Sequence, residues 1–466
     1  MSRLIVVSNR VNPPTGAGEE SVGGLSMALS AALQEYSGLW FGWSGKTAEE
    51  VEAAPTVQTV GGVTVATVDL DEQDFQEYYN GYANKTLWPL FHYRVDLTAY
   101  DRAFGAGYER VNRRFAQTLK PLIEPGDLIW VHDYHLIPLA RELRRLGVKN
   151  RIGFFLHIPW PAHQLFVTLP RHSQLVQAMF DYDLVGFQTP EYLQAFEEYV
   201  LGEAGGEHVG PQHLRAFGRT VRAGAFPIGI DAKNFAAMLK SPRAVRTYNI
   251  MAASAVFKQL IVGVDRLDYS KGLEERFLGF EHFLADNPDL RREVLMLQIA
   301  PVSREGVEAY QEIRARLDAL SGRINGEYAD IDSNPVRYVN RNYRRDELAG
   351  IYRAARVGLV TPLRDGMNLV AKEYVAAQDP DDPGVLILSR FAGAANQLRE
   401  ALLVNPNTPE EIADALKRAL AMGREERIRR WRALNENVQR EDVTAWRDAF
   451  VSALGEVDRQ PAALAS

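Results

Sequence analysis

The chain has 466 residues, of which 46% are apolar and 24% are charged, so it is long enough for two domains and has the composition of a soluble globular protein. A formal net charge of -7 argues against a general binder of nucleic acid or of anionic membranes. The absence of cysteine excludes disulfides, thiolate nucleophiles and zinc sites with cysteine ligands, and it suits the cytoplasm, where we expect the protein.

Strands and helices alternate through the first half of the chain. Residues 4–7 predict a strand, too short for a signal peptide, and the spacing of apolar residues over 23–36 predicts a helix after it. Further strands are predicted at 127–132, 151–158, 183–189 and 220–230, with a helix over 136–147. Short apolar strands separated by helices predict a parallel sheet with helices on both faces.

The same alternation begins again in the second half. Strands are predicted at 259–267, 293–301, 336–340, 357–362 and 384–389, and the helices between and after them at 273–288, 304–320, 345–356, after Asn368, and at 396–403. Helices with a solvated face are also predicted over 425–456. We therefore expect two successive doubly wound sheets, a boundary within 226–242, and a working site in the cleft between the domains.

Several motifs begin like known ligand sites and then fail. Residues 40–47 end like a phosphate-binding P-loop, but Trp40 stands where the first glycine is required. Residues 330–335 begin like a calcium loop, but Pro335 replaces the required glycine. The pair His132 and His135 lacks the zinc pattern, and the aspartate pairs at 69–71 and 181–183 are typical of caps and turns.

Two glycine-containing turns could hold phosphate. Gly23 and Gly24 open a helix, although a simple turn is the better explanation of this pattern taken alone. Arg266 and Lys271 follow a buried strand, and Gly272 opens the next helix. Two cations beside a helix start predict a pyrophosphate site, and a surface cluster of arginine, aspartate and lysine is the alternative.

The stretch "RDGMNLVAKEY" places Asp365 in a loop after a strand, with Asn368 as the cap of the next helix. Glu373 lies on the helix face that contains Leu369, which indicates a buried carboxylate in need of donors. A sugar diol could supply them, and so could a salt bridge to a neighbouring arginine or lysine. Other candidates are Arg10, Tyr79, Trp88, Asp133, His157 and Arg304, several of which lie at predicted strand ends, and each of which a core aromatic, a cap or a surface ion pair could also explain.

Ten segments in this order resemble one family. They include "LIVVSNR", "GLWFGWSG", "WVHDYHL", "GFFLHIPWP", "DRLDYSKGL", "LVTPLRDGMNLVAKEYVAAQ" and "LILSRFAGAA". They are similar to those of the bacterial trehalose-6-phosphate synthases, retaining glycosyltransferases with two facing Rossmann-like domains of the GT-B type. The resemblance covers about residues 3 to 450 and implies an acceptor-binding domain over 1–235, a nucleotide-sugar domain over 236–448, and a C-terminal helix or tail over 449–466 that packs back on the first domain.

The resemblance implies transfer of glucose from UDP-glucose to glucose 6-phosphate, giving α,α-trehalose 6-phosphate and UDP. On the donor side, Arg266 and Lys271 would hold the diphosphate near the amides of Gly23 and Gly24, and Glu373 would bind the ribose diol. The remaining donor residues would be Leu369 and Val370 through their amides, Tyr343 beside the uracil, and Asp365 and His157 on the transferred glucose. The acceptor would be gathered by Arg10, Tyr79, Trp88, Asp133 and Arg304.

The resemblance also implies a front-face transfer in which Arg266, Lys271, His157 and Asp365 take the catalytic roles. Because cations of the protein would stabilise the departing UDP, we expect no cofactor and no essential metal. We expect small-molecule partners only, no nucleic acid and no membrane, and a homo-oligomer, either a dimer or a tetramer.

Three alternatives remain at this stage. The first is the same chemistry with another acceptor, such as glycerol 3-phosphate, or with another nucleotide on the glucose. The second is a regulatory subunit that keeps the fold without catalysis, although Arg266, Lys271 and Glu373 are all present. The third is a phosphorylase-like enzyme that carries pyridoxal phosphate on a lysine.

Overall fold

The chain forms two compact units. In a computed structural model, which describes residues 3–11, 33, 38–60, 62–254, 258–302 and 308–457, the first unit holds the described residues of Met1–Ile228 and Thr444–Ser466. The second unit holds those of Gly229–Val443. The domain boundaries expected after residues 235 and 448 stay predictions.

The first unit is built on a ten-stranded sheet within the described residues. Its strands are β1 Leu4–Arg10, β2 Leu39–Thr47, β3 Thr56–Val60, β4 Val63–Leu70, β5 Leu128–His132, β6 Arg151–Phe155, β7 Leu184–Phe187, β8 Glu207–Gly210, β9 His213–Ala216 and β10 Arg219–Ala225. They lie in the order β3-β4-β2-β1-β5-β6-β7-β10-β9-β8. The seven neighbouring strands β4, β2, β1, β5, β6, β7 and β10 pair in parallel. At one edge β3 pairs antiparallel with β4, and at the other β9 pairs antiparallel with β10 and β8 with β9.

The longer helices of the first unit are α1 Arg102–Leu119, α2 Leu139–Arg145, α3 His172–Met179 and α4 Pro190–Gly202, with a C-terminal helix at Val443–Gly455. Shorter helical segments are Glu72–Asp74, Trp88–Phe91, Val95–Leu97, Lys120–Leu122, Tyr134–Leu136 and His163–Phe166. Residues Phe75–Leu87 form a π-helix, a form that is rare and is concentrated at functional sites.

The C-terminal helix packs on the first sheet. The ring centroids of Trp446 and Phe450 lie 4.8 and 4.7 Å from that of Trp130 on β5. Gly153 and Gly186 allow this contact, because a Cβ atom at either position would lie 2.7 Å from the Phe450 ring. The helix therefore depends on small residues in the strands below it.

The second unit contains a fully parallel sheet of six strands in its described residues. The strands are β11 Gln259–Val264, β12 Val294–Ile299, β13 Val336–Val339, β14 Val357–Val360, β15 Val385–Ser389 and β16 Leu402–Val404. The longer helices are α5 Ala232–Met238, α6 Pro242–Ser254, α7 Leu273–Asp286, α8 Glu308–Tyr328, α9 Arg345–Ala354, α10 Leu369–Ala377, α11 Pro409–Ala421 and α12 Arg424–Arg440, and the short ones are Tyr269–Lys271, Pro288–Leu290 and Gly393–Asn396.

The strand order of the second sheet is β13-β12-β11-β14-β15-β16, which is the order of a Rossmann-like sheet. Strands β12, β14 and β15 are buried along their whole length, as expected for parallel strands covered on both faces. The predicted α/β class with two Rossmann-like domains is therefore confirmed. None of the helices in the described residues combines the length and apolar character needed to cross a membrane.

One predicted helix of the second half is wrong. Residues 396–403 form no helix: the short helical turn Gly393–Asn396 is followed by a turn and then by β16. Leu402–Val404 pairs in parallel with β15 and forms the edge of the sheet. Backbone pairing with that neighbouring strand decides the conformation, which an eight-residue apolar pattern could not reveal.

Candidate active site

The second sheet changes winding direction between β11 and β14. The chain leaves these two neighbouring strands toward opposite edges of the sheet, so the loops after them border a crevice where such folds bind ligands. Lys271 follows β11 and Asp365 follows β14. The Lys271 Nζ atom lies 2.5 Å from Asp365 Oδ2, and the two side chains are 12% and 14% exposed. Two residues predicted for the donor site thus meet at the switch point.

Gly272 allows the turn after β11 to approach the end of β14. Its φ is +60°, in the left-handed region that favours glycine. A Cβ atom at this position would lie 2.0 Å from the carbonyl oxygen of Thr361. Both the positive φ and the close approach therefore require glycine at this position. Gly272 directly follows Lys271 and caps the start of helix α7.

Arg276, which the sequence analysis missed, supports this turn from beneath. Its side chain is fully buried, and its guanidinium lies 2.8 Å from Asp265 Oδ2. It also donates to Thr361 Oγ1 at 3.0 Å and to Gln298 Oε1 at 2.8 Å. Burial raises the pKa of the Asp265 carboxyl, and the charges of Arg276 and Lys271 oppose that rise. In the sequence, the signal that could have revealed Arg276 was a charged residue on the apolar face of a predicted helix.

Asn368 connects the Asp365 loop to helix α10. Its side-chain oxygen accepts from the Ala371 amide at 3.1 Å, and its Nδ2 donates to Asp365 Oδ2 at 3.1 Å. Leu369 and Val370 are the first two helical residues, and their amides have no acceptor within the helix. Such amides and the positive end of the helix dipole favour an anion or a hydroxyl oxygen.

Glu373 lies one turn further along α10 and is 9% exposed. Its Oε1 accepts from Arg345 Nη2 at 3.1 Å, so the salt bridge left open as an alternative is present. Burial raises the pKa of the Glu373 carboxyl, and Arg345 opposes that rise. A carboxylate has room for further donors beside one arginine, so the salt bridge does not exclude a sugar diol.

The other two donor candidates of the second unit lie on loops. Arg266 is exposed in the loop after β11. Tyr343 is half-buried in the loop between β13 and α9, with the guanidinium of Arg341 4.5 Å from its ring centroid. Both loops follow carboxyl ends of strands in the same parallel sheet.

Lys372, next to Glu373, is a fully buried lysine that the sequence analysis did not single out. Its Nζ donates to Gln397 Oε1 at 2.6 Å, and Gln397 in turn donates to Glu441 at the end of α12. Burial lowers the pKa of the Lys372 ammonium from 10.5 to about 7, and Glu441 opposes that fall.

We expect Lys372→Met to change how stability depends on pH. The unfolded chain keeps the ordinary lysine pKa of 10.5, so between pH 7 and that value it binds more protons than the folded chain and wild-type stability rises with pH. The free energy of unfolding of the wild type relative to the variant should therefore increase by about 2 kcal/mol from pH 7 to pH 9. Denaturant unfolding at both pH values measures it. The exposed lysine variant Lys417→Met is the control, and equal pH slopes in wild type and Lys372→Met would contradict the expectation.

In the first unit, Arg10 and Tyr79 meet around Trp43. Arg10 ends β1, and its guanidinium lies 5.9 Å from the Trp43 ring centroid. The Tyr79 ring, on the π-helix, lies 5.3 Å from the same tryptophan. Gly45 leaves room for Arg10, because a Cβ atom there would lie 2.4 Å from the arginine Nε.

Aromatic contacts connect Trp88 to this pair. Trp88 is 5% exposed, and its ring centroid lies 5.8 Å from that of Tyr134. The ring centroids of Tyr134 and His135 lie 3.9 Å apart, and the stacked rings of His135 and Tyr79 have centroids 6.0 Å apart. Three of the predicted acceptor residues are therefore members of one connected set.

Asp133 and His157 are held together at the ends of β5 and β6. The Asp133 carboxylate accepts from the His157 amide at 3.1 Å, while the His157 ring lies 3.0 Å from His132 Nδ1 and 3.4 Å from Gln188 Nε2. Burial lowers the pKa of His157 to about 3, and it lowers the pKa of His132 well below its usual value. Both imidazoles are therefore neutral at pH 7.

Three predicted residues, Gly23, Gly24 and Arg304, lie outside the described part of the chain, as does nearly all of the predicted helix at 23–36. Over the residues that the structure does describe, no group of three or more histidine, aspartate or glutamate side chains is arranged to hold a metal ion.

Comparison with known proteins gives matches over nearly the whole chain. The family model described as glycosyltransferase family 20 matches residues 3–456. A trehalose-6-phosphate synthase of Sinorhizobium fredii is 50% identical over 97% of this chain and 98% of its own length.

Solved structures agree with these sequence matches. An α,α-trehalose-phosphate synthase (UDP-forming) of Burkholderia xenovorans in complex with glucose-6-phosphate is 50% identical, with a TM-score of 0.93 over 97% of this chain and 100% of that one. An E. coli structure described as bound with UDP-2-fluoro glucose is 46% identical, with a TM-score of 0.94 over 98% and 100% of the two chains. The chain belongs to glycosyltransferase family 20.

Proposed function

We propose that the protein transfers glucose from UDP-glucose to glucose 6-phosphate with retention, giving α,α-trehalose 6-phosphate and UDP. The observation that carries the proposal is the meeting of Lys271 and Asp365 at the switch point, directly before the free amides of α10. The family and the named relatives support the same reaction.

In this proposal Lys271 and Arg266 hold the diphosphate of the donor, and the amides of Leu369 and Val370 lie beside it. Glu373 accepts from the ribose diol and Tyr343 lies against the uracil. Asp365 and the neutral His157 bind hydroxyls of the transferred glucose. A neutral imidazole suits this role, because it offers one donor and one acceptor.

The transfer takes place on one face of the sugar. Inversion would require a base opposite the leaving group, and double displacement would require a carboxylate nucleophile under the anomeric carbon. In front-face transfer the bond from the anomeric carbon to the UDP oxygen breaks and the bond to the acceptor oxygen forms. The departing phosphate oxygen takes the acceptor's proton. The protein then contributes positioning and positive charge near the leaving group.

We expect Arg10→Gln to raise KM for glucose 6-phosphate about tenfold, because a charge-assisted contact to the acceptor phosphate is lost. Glucose itself carries no phosphate, so the preference for glucose 6-phosphate over glucose should shrink by the same factor. Initial rates with both acceptors measure this. Lys46→Gln removes an exposed charge from the neighbouring strand β2 and is the control. An unchanged preference in Arg10→Gln would contradict the assignment.

Donor and acceptor panels test the reaction itself. Purified protein should form a non-reducing disaccharide phosphate and UDP from UDP-glucose and glucose 6-phosphate. UDP-, ADP- and GDP-glucose, and glycerol 3-phosphate in place of glucose 6-phosphate, cover the alternatives of the same chemistry. No product with any pair would favour a regulatory subunit, and pyridoxal absorbance with phosphate-dependent turnover would favour a phosphorylase.

The proposal includes three further expectations. Because Lys271 and Arg266 supply the positive charge, turnover should be unchanged in EDTA. The protein should be found in the cytoplasmic fraction of the cell. It should sediment as a homodimer or homotetramer, with no nucleic acid bound.

A further inference from the structure

A cavity of about 240 Å³ lies in the first unit, away from the residues assigned above. The π-helix, α1, the start of α2 and the segment leading into α3 surround it. Tyr82 and Tyr108 form an aromatic wall, with ring centroids 4.4 Å apart, and Leu175 adds aliphatic surface. The cavity therefore suits a compact ligand with an apolar body.

Three guanidinium groups line the same cavity, those of Arg102, Arg141 and Arg171. Among the described residues none of the three has a hydrogen bond or an ion pair within 4 Å, and the Nε atom of Arg141 is buried without an acceptor. Arg102 and Arg171 are exposed and Arg141 is half-buried. Clustered arginines without a counter-charge repel one another, and guanidinium groups match carboxylate and phosphate in shape and charge.

The nearby carboxylates do not neutralise this cluster. Asp101 lines the cavity but accepts from the Ala103 amide at 2.8 Å as the cap of α1, and Glu109 is exposed. The charge of Arg141 acts to lower the pKa of Asp181, but the salt bridge of Asp181 is to Arg219 at 2.9 Å. Three cations and two lining carboxylates leave a positive excess for a ligand to balance.

The cavity and the predicted acceptor residue Tyr79 lie on different sides of one helix. Tyr79 stacks on His135 and contacts Trp43, whereas Tyr82 contacts Tyr108. Both tyrosines belong to the π-helix Phe75–Leu87. A ligand held against Tyr82 would contact the helix that also positions Tyr79, so the two sites share one element.

We propose that this cavity is an effector site for a small organic anion, a carboxylate or phosphate with an apolar body, whose binding changes the affinity for the acceptor. The effect on the acceptor rests on the proposed function, whereas binding at the cavity does not. Arg141 and Arg171 hold the anionic group, and Tyr82 and Tyr108 hold the body.

The first experiment is calorimetric titration of the full chain with phenyl phosphate, with UDP and glucose 6-phosphate saturating so that the active site is occupied. We expect one molecule to bind, at least about tenfold more weakly in Arg141→Gln and in Arg171→Gln. Benzyl alcohol, which has the same ring without the charge, should not bind. Benzoate in place of phenyl phosphate distinguishes a carboxylate from a phosphate ligand.

Two further variants make the test specific. Gly105→Leu should abolish binding without changing charge, because its side chain enters the cavity: a Cβ atom there would lie 3.9 Å from Tyr82 and clash with nothing. Arg145→Gln, on the same helix as Arg141 but paired with Glu142, should bind like the wild type.

The second experiment measures KM for glucose 6-phosphate with and without phenyl phosphate. A change in KM in the wild type that is absent in Gly105→Leu supports the effector site. No binding to the wild type, equal binding to the wild type and Gly105→Leu, or binding without any change in KM would each overturn the proposal. If no glucosyl transfer occurs at all, the titration alone still decides whether the cavity binds the anion.

Discussion

Lys271→Ala is expected to lower turnover about 100-fold or more, because it removes positive charge that would stabilise the departing diphosphate. The side chain is only 12% exposed and lies 2.5 Å from Asp365 Oδ2, so its position is fixed before the donor binds. Such a preorganised charge acts with little reorganisation during the reaction. Steady-state kcat with UDP-glucose and glucose 6-phosphate measures the effect.

Two variants separate loss of the charge from damage to the site. Lys417→Ala removes an exposed lysine on α11 and should keep wild-type turnover. Lys271→Ala also removes one cation beside the Asp365 carboxylate, and the added change Asp365→Asn removes the charge of that carboxylate. If the double variant recovered turnover to within about tenfold of wild type, the altered balance of charge at Asp365 and not the leaving group would explain the loss.

The apolar runs of the sequence predicted most interior strands of both sheets, but not β2, an interior strand of the first sheet that is buried over its first five residues. Buried parallel strands read as continuous apolar runs, and so β11, β12, β14 and β15 were predicted. The edge pairs β3–β4 and β8–β9 were not predicted, because partly exposed strands have a weaker apolar pattern. The π-helix was also missed, since nothing in its composition separates it from an α-helix.

Individual site residues could be predicted, but the partners that fix them could not. Lys271, Asp365 and Glu373 lie in turns and helix starts after strands, which local sequence reveals. Arg276 and Arg345 contact residues far away in the chain, such as Thr361 and Glu373. Only the fold brings those positions together, so the buried salt bridge of Glu373 stayed one of two open alternatives.

Glu373→Gln is expected to raise KM for UDP-glucose about 50-fold, since an amide replaces the carboxylate that would accept from both ribose hydroxyls. Glutamine keeps the size of the side chain and can still accept from Arg345, so the helix should remain in place. Turnover at saturating donor should change much less than KM, because the ribose is remote from the reacting bond. Initial rates over a range of donor concentrations separate the two constants.

A donor without the ribose 2′-hydroxyl distinguishes recognition of the diol from a structural effect. Wild-type protein should discriminate against 2′-deoxy-UDP-glucose, and Glu373→Gln should treat the two donors nearly alike, because the group that senses the hydroxyl is gone. Glu281→Gln weakens another ion pair between helices, from α7 to the more exposed Arg323 on α8, and should retain full discrimination. Undiminished discrimination in Glu373→Gln would mean that Glu373 binds Arg345 and not the ribose. Other residues would then have to bind the ribose.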